Sequence, residues 1–135
     1  MMKEITTYLT FDGNCREAMQ FYARCLNGDL FMQTFGEAKM GPESSKDRIM
    51  HARLAKGGAT LMASDTMPDT PFQQGNNFSV SVGCTTVDEA EKVFAALSEK
   101  GKVTMALTET FWAHRFGMLV DKFGIQWMVN LDKPH

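Results

Sequence analysis

The sequence predicts an α+β fold made of two tandem βαβββ modules. Three observations carry this prediction. Short stretches alternate apolar and polar residues, as half-buried strands do. Each half contains one capping-box pattern that opens a run of helical spacing. The order strand, helix, strand, strand, strand then occurs twice, which marks an internal repeat.

In the first half, Ile5 to Phe11 is rich in β-forming residues and reads as a strand. Asp12-Gly13 turns the chain. Asn14 and Glu17 have capping-box spacing, and Ala18, Phe21, Tyr22, Cys25 and Leu26 then recur on one helical face, with Gly28 as the stop. Strands follow at Asp29 to Phe35, Arg48 to Ala55 and Ala59 to Ser64, the last two joined by the turn Lys56-Gly57-Gly58.

The second half repeats the order. Phe78 to Cys84 alternates as a strand. Thr86 and Glu89 form a second capping box ahead of Val87, Ala90, Val93, Phe94 and Leu97, and Gly101 ends that helix. Strands follow at Lys102 to Thr108, His114 to Val120 and Ile125 to Leu131, with Asp121 to Gly124 as the last turn. Phe11 corresponds to Cys84 and Met62 to Met128. The first interval is longer because the loop Gly36 to Asp47 has no counterpart. The expected organisation is one domain over residues 1–135, with module one at 5–65, a Pro- and Gly-containing linker at 66–77 and module two at 78–131. Neither half is expected to form a stable domain alone.

Composition narrows the function classes. The formal net charge of -2 lacks the basic excess of a nucleic-acid binder. No apolar run approaches the ~20 residues that span a bilayer. The first residues lack the apolar core of a signal peptide. The expectation is a soluble cytoplasmic protein, without nucleic acid or membrane as partner. Three cysteines, Cys15, Cys25 and Cys84, cannot all pair within one chain and form no Cys-x-x-Cys motif, so reduced, mostly buried thiols are expected. The 11 methionines are either core filler or the lining of an adaptable cavity.

Three segments resemble one family. Tyr8-Leu9-Thr10-Phe11-Asp12-Gly13-Asn14-Cys15, running into Phe21-Tyr22, resembles the opening of PhnB-like proteins, which belong to the vicinal oxygen chelate superfamily with glyoxalase I, bleomycin resistance proteins and extradiol dioxygenases. Thr108 to Gly117 and Asp121 to Asn130 resemble its second and C-terminal signatures. The resemblance covers essentially the whole chain. It implies a curled mixed sheet around a cavity with helices outside, and a homodimer. Some family members carry a label borrowed from a demethylubiquinone methyltransferase. No Gly-rich loop suited to S-adenosylmethionine follows the first strand here.

In metal-dependent superfamily members, each module supplies one ligand from its first strand and one from its last, usually His, Glu or Gln. The resemblance places these positions at Thr6 or Thr7, Ser79, Met62 and Met128. Hydroxyls and thioethers hold a hard or borderline cation poorly, so the expectation is no metal and no cofactor.

The remaining candidates form two groups. Glu109, His51 and His114 are the candidate catalytic residues. His51 is a general base, a pocket donor or a structural partner, and by alternation it shares a strand face with Ile49 and Arg53. Glu109 stands at a strand end, where a partly buried carboxylate could transfer protons. Trp112 and Arg115 lie beside His114, suited to stacking and to an anionic group, or else to packing and a structural ion pair. Tyr8, Thr10, Met62, Ser79, Ser81, Gln126 and Met128 are expected to line the cavity. Asn130 shares a face with Gln126 and Met128, Trp127 belongs to the core, and Ser64-Asp65 either lines the cavity mouth or caps a turn. The predicted function is the binding of a small organic molecule in an inter-module cavity. The rivals are a metal-dependent lyase, isomerase or dioxygenase using non-standard ligands, and a drug- or toxin-sequestering protein.

Overall fold

The computed structural model describes residues 1–67 and 69–134; Pro68 of the expected linker lies outside them. The chain separates into two compact units, Met1–Gln73 and Gln74–His135. The first contains β1 (Tyr8–Phe11), α1 (Cys15–Leu26), β2 (Asp29–Thr34), β3 (Ile49–Lys56) and β4 (Ala59–Asp65). The second contains β5 (Val80–Gly83), α2 (Val87–Leu97), β6 (Lys102–Thr108), β7 (Ala113–Val120) and β8 (Gln126–Asp132). Each unit is therefore a βαβββ module, and the two-module α+β class is as the sequence predicts.

Each module folds its strands into one four-stranded mixed sheet, in the orders β1-β4-β3-β2 and β5-β8-β7-β6. The first and last strands of a module pair in parallel, β1 with β4 and β5 with β8; the other pairs are antiparallel. The helix between the first two strands is the crossover that this topology needs.

One face of each sheet is covered by its own helix. In the first unit Leu9, Phe11, Ala52, Leu54, Leu61 and Ala63 are buried together with Ala18, Met19, Phe21 and Tyr22 of α1. In the second, Trp127, Val129, Leu131 and Leu119 are buried with Ala90, Val93, Phe94 and Leu97 of α2. Burying each large side chain contributes about 1.5–3 kcal/mol. Gly117 lies under the Phe94 ring, where a Cβ would stand 2.7 Å from Cε2 and 2.9 Å from the Leu107 Cα. Only a residue without a side chain fits there.

A buried aspartate ties each module together. Asp65 ends β4, and its Oδ1 accepts from the amides of Gly13 (2.8 Å) and Cys15 (3.0 Å), while Oδ2 accepts from the Ile49 amide (2.8 Å). Asp121 follows β7 at the start of the last turn. Its Oδ1 accepts from the amides of Phe123 and Ile125, and its Oδ2 accepts from the Trp127 indole at 2.8 Å. A carboxylate with several N–H donors is satisfied despite burial.

Several local expectations are corrected. β1 starts at Tyr8 and β5 at Val80, later than the alternation suggested. The Asn14 side chain makes no capping hydrogen bond. Asp65, distant in sequence, caps α1 instead. The second capping box forms with a shift: Thr86 accepts from the Glu89 amide, but the Glu89 carboxylate accepts from Thr85 rather than Thr86. Asn27 in left-handed conformation, not Gly28, closes α1. Cys15 is buried while Cys25 and Cys84 are partly exposed, and none is in a disulfide. Ile49 does not share a face with His51. Gln33 pairs with His51 but Thr34 pairs with Ile49, so Met50 is an extra residue and Ile49 turns to the helix side.

Candidate functional site

The face of each sheet that its helix leaves uncovered carries half of the candidate residues. In the first unit, one row crosses all four strands: Tyr8 pairs with Met62, Met62 with Arg53, and Arg53 with Phe31. The next row brings Thr10 beside Ser64, and His51 beside Gln33. Tyr8 reaches across β4 to β3. Its hydroxyl lies 3.1 Å from His51 Nδ1, and the two rings stack with centroids 5.8 Å apart and planes 27° apart. His51 is half-buried, while Tyr8 is 48% exposed. Tyr8, Thr10, Met62 and His51 thus stand on one face of the first sheet. Sequence reasoning passed over Phe31 and Gln33, whose strand was legible but whose register was not.

The second unit repeats the pattern with different chemistry. Ser81 pairs with Met128, Met128 with Met118, and Met118 with Met105, giving three methionines in line across neighbouring strands. Asn130 stands beside Gly83 and Phe116 in another row. Trp112 meets the Phe116 ring edge-on at 5.5 Å and Phe111 at 4.9 Å. Phe111 is 89% and Trp112 41% exposed. Exposed aromatic clusters beside apolar rows are uncommon on surfaces without a binding role. Met118, Met105 and Phe116 are the residues that sequence reasoning missed. The alternation of β7 was the available signal for Phe116 and Met118; Met105 lies on β6, whose register is interrupted on either side of it.

Other candidates lie elsewhere. Gln126 donates through Nε2 to the carbonyls of Asn76 and Phe78, tying the segment before β5 to β8. Ser79 is exposed ahead of β5. Arg115 pairs with Leu131 across the ladder and so faces the helix side; its Nε lies 3.7 Å from Glu91 of α2. The offset between Ala113 and Arg115 makes His114 the extra residue of a bulge, and it is exposed. The expected partial burial of Glu109 is corrected: it is exposed and forms a 2.9 Å ion pair with Lys133. The hydrogen bond and charge of Lys133 hold its carboxyl below the ordinary carboxylate range, away from the value a proton-transfer group needs near neutrality.

The donor set does not suit a superfamily-type metal. Met62 and Met128 occupy the last-strand positions, beside Tyr8 and Ser81. Thioethers and neutral hydroxyls do not fit a divalent cation that polarises vicinal oxygens. Among the described residues no three His, Cys, Asp or Glu side chains come together as a metal-holding group. S-adenosylmethionine fits no better. The Asp12–Asn14 turn is not glycine-rich, and the amides of Gly13 and Cys15 are already taken by Asp65.

Paired βαβββ modules of this kind define the vicinal oxygen chelate class. A glyoxylase/bleomycin resistance protein/dioxygenase domain from Frankia sp. EAN1pec shares the fold at a TM-score of 0.68 and 12% identity, over 98% of this chain and 99% of that one. Within the class, the family model described as 3-demethylubiquinone-9 3-methyltransferase matches residues 3–130, and the chain belongs to this PhnB-like family. Protein PA1353 from Pseudomonas aeruginosa is 45% identical with a TM-score of 0.90, covering 98% of this chain and all (100%) of that one. Protein YjdN of Escherichia coli K12 is 35% identical over 96% of this chain and 95% of its own length.

Proposed function

We propose that the protein binds a small organic molecule on these uncovered sheet faces, without a superfamily metal. The observation that carries the reading is the Phe111–Trp112–Phe116 cluster beside the in-register Met105, Met118 and Met128 row. Aromatic edges recognise a flat apolar group, and unbranched thioethers adapt to irregular shapes. Ser81 and Asn130 supply neutral polar contacts at the margin. Methyl transfer, which the family description names, finds no support in the residues after β1. Catalysis by His51, Glu109 or His114 remains a secondary reading: His51 has the Tyr8 hydroxyl as an orienting partner, whereas Glu109 is neutralised by Lys133.

The test is a fluorescence titration of the whole chain with a panel of aromatic and aliphatic small molecules. Binding is expected to change the emission of exposed Trp112, and Trp112→Phe to abolish that change while the buried Trp127 signal persists. A panel that leaves both calorimetric heat and emission flat would sink the proposal.

The same reading includes a cytoplasmic homodimer. Its support is the exposed edge strand β6, with Val103 and Met105 unburied, because open edges invite cover. A monomer by light scattering at working concentration contradicts it.

A further inference from the structure

We propose that the uncovered face of the first unit recognises the charged group of a small organic acid, with Arg53 and His51 as donors and Phe31 and Met62 as the apolar flanks. This rests on the small-molecule reading above and names the ligand class.

The register places Arg53 between Met62 and Phe31, its direct cross-strand neighbours. Neighbours of this kind stand about 4.5–5.5 Å apart at Cβ. Arg53 is exposed, and its side chain makes no hydrogen bond or ion pair with any described residue. Phe31 is 58% exposed. A guanidinium with five donors, set between a thioether and a phenyl ring, is therefore open toward an incoming group. Its planar fork matches a carboxylate in two parallel hydrogen bonds.

His51 lies two residues back along β3 on the same face, about 7 Å away by strand geometry. In the tautomer whose Nδ1 accepts from the Tyr8 hydroxyl, the imidazole proton sits on Nε2, which is then a second donor. Gln33, paired with His51, brings a side-chain amide to the same row. The carboxylate on this face, Asp29, pairs with Ala55 and so lies on the side of Arg53 away from His51. The anion's place is then the His51 side. The apolar flanks favour an acid with a hydrocarbon or aromatic body over an inorganic anion.

Calorimetric titration at fixed ionic strength with benzoate and its neutral isostere benzamide tests this. The whole chain is expected to bind benzoate about tenfold more tightly, the effect of charge-assisted over neutral hydrogen bonding. Arg53→Gln should bring benzoate to parity with benzamide, and Arg53→Lys should retain part of the preference. Equal affinity for both probes in the unmodified protein, or a benzoate preference that survives Arg53→Gln, overturns the inference and leaves the small-molecule reading standing. Failure of both probes and of the wider panel to bind removes that reading, and the inference with it.

Discussion

Asp65, at the end of β4, accepts a hydrogen bond from the backbone amide of Cys15, the first residue of α1, at 3.0 Å. The same carboxylate also holds the amides of Gly13 and Ile49. One side chain thus links the helix start, the turn after β1 and the head of β3. Asp65→Ala should leave three amides without their partner and lower stability by at least about 3 kcal/mol, read as a shift in urea midpoint at unchanged slope. Asp65→Asn should fall between the two, because its NH2 group would face one of those amides. A midpoint unchanged within error would show that water replaces the carboxylate.

Cys15, packed beside Asp65, has its thiol pushed up to about 12 by burial first and by the Asp65 charge second. It should resist alkylation at pH 8 in the native state and react on unfolding, whereas Cys25 and Cys84 are more accessible. The folded value lies above the unfolded one, so this contribution to stability is complete below about pH 9 and lost as pH rises toward 12. Cys15→Ala should flatten that alkaline decline. Rapid native labelling of Cys15, located by peptide mapping, would contradict the burial.

Gly117→Ala should destabilise the second unit by about 1–3 kcal/mol, because its Cβ would meet the Phe94 ring and the Leu107 backbone. Phe94→Leu combined with Gly117→Ala should recover part of the loss. Additive losses in thermal melts of the four proteins would mean that the backbone contact, not the ring, dominates.

Lys133→Ala should raise the Glu109 carboxyl toward its ordinary range, since the Lys133 hydrogen bond is the first cause of the lowering and its charge the second. The stabilising effect of the pair is present above the ordinary carboxylate pKa and fades as pH falls through the lowered value. Side-chain carboxyl NMR titration in both proteins reads this directly. An unchanged midpoint would show that Lys133 does not set it.

Much of the fold was legible because its signals are local. β-forming composition and alternation marked the eight strands among the described residues, to within a few residues at their ends, and helical spacing located both α-helices and the buried faces. The Thr86 cap was visible as a four-residue pattern. The Asn14 cap misled for a reason of distance: the acceptor that α1 uses lies 50 residues away. The candidate residues divide the same way. Tyr8, His51, Met62, Met128 and Trp112 were found from spacing and resemblance. Phe31, Arg53 and Met118 gain their roles from pairing register, which is interrupted by irregularities in several ladders and which no local pattern records.

The sequence by itself determined the repeated βαβββ order and the family resemblance, and with it the expectation that Met62 and Met128 stand where relatives place metal ligands, because each depends only on residue type and spacing along the chain. Tertiary structure decided which side chains stand together: Tyr8 with His51, Arg53 between Met62 and Phe31, three methionines in one row, Glu109 neutralised by Lys133. Those neighbours come from different strands or loops. Their meeting depends on strand order and register, which follow from packing the whole module around Asp65 or Asp121.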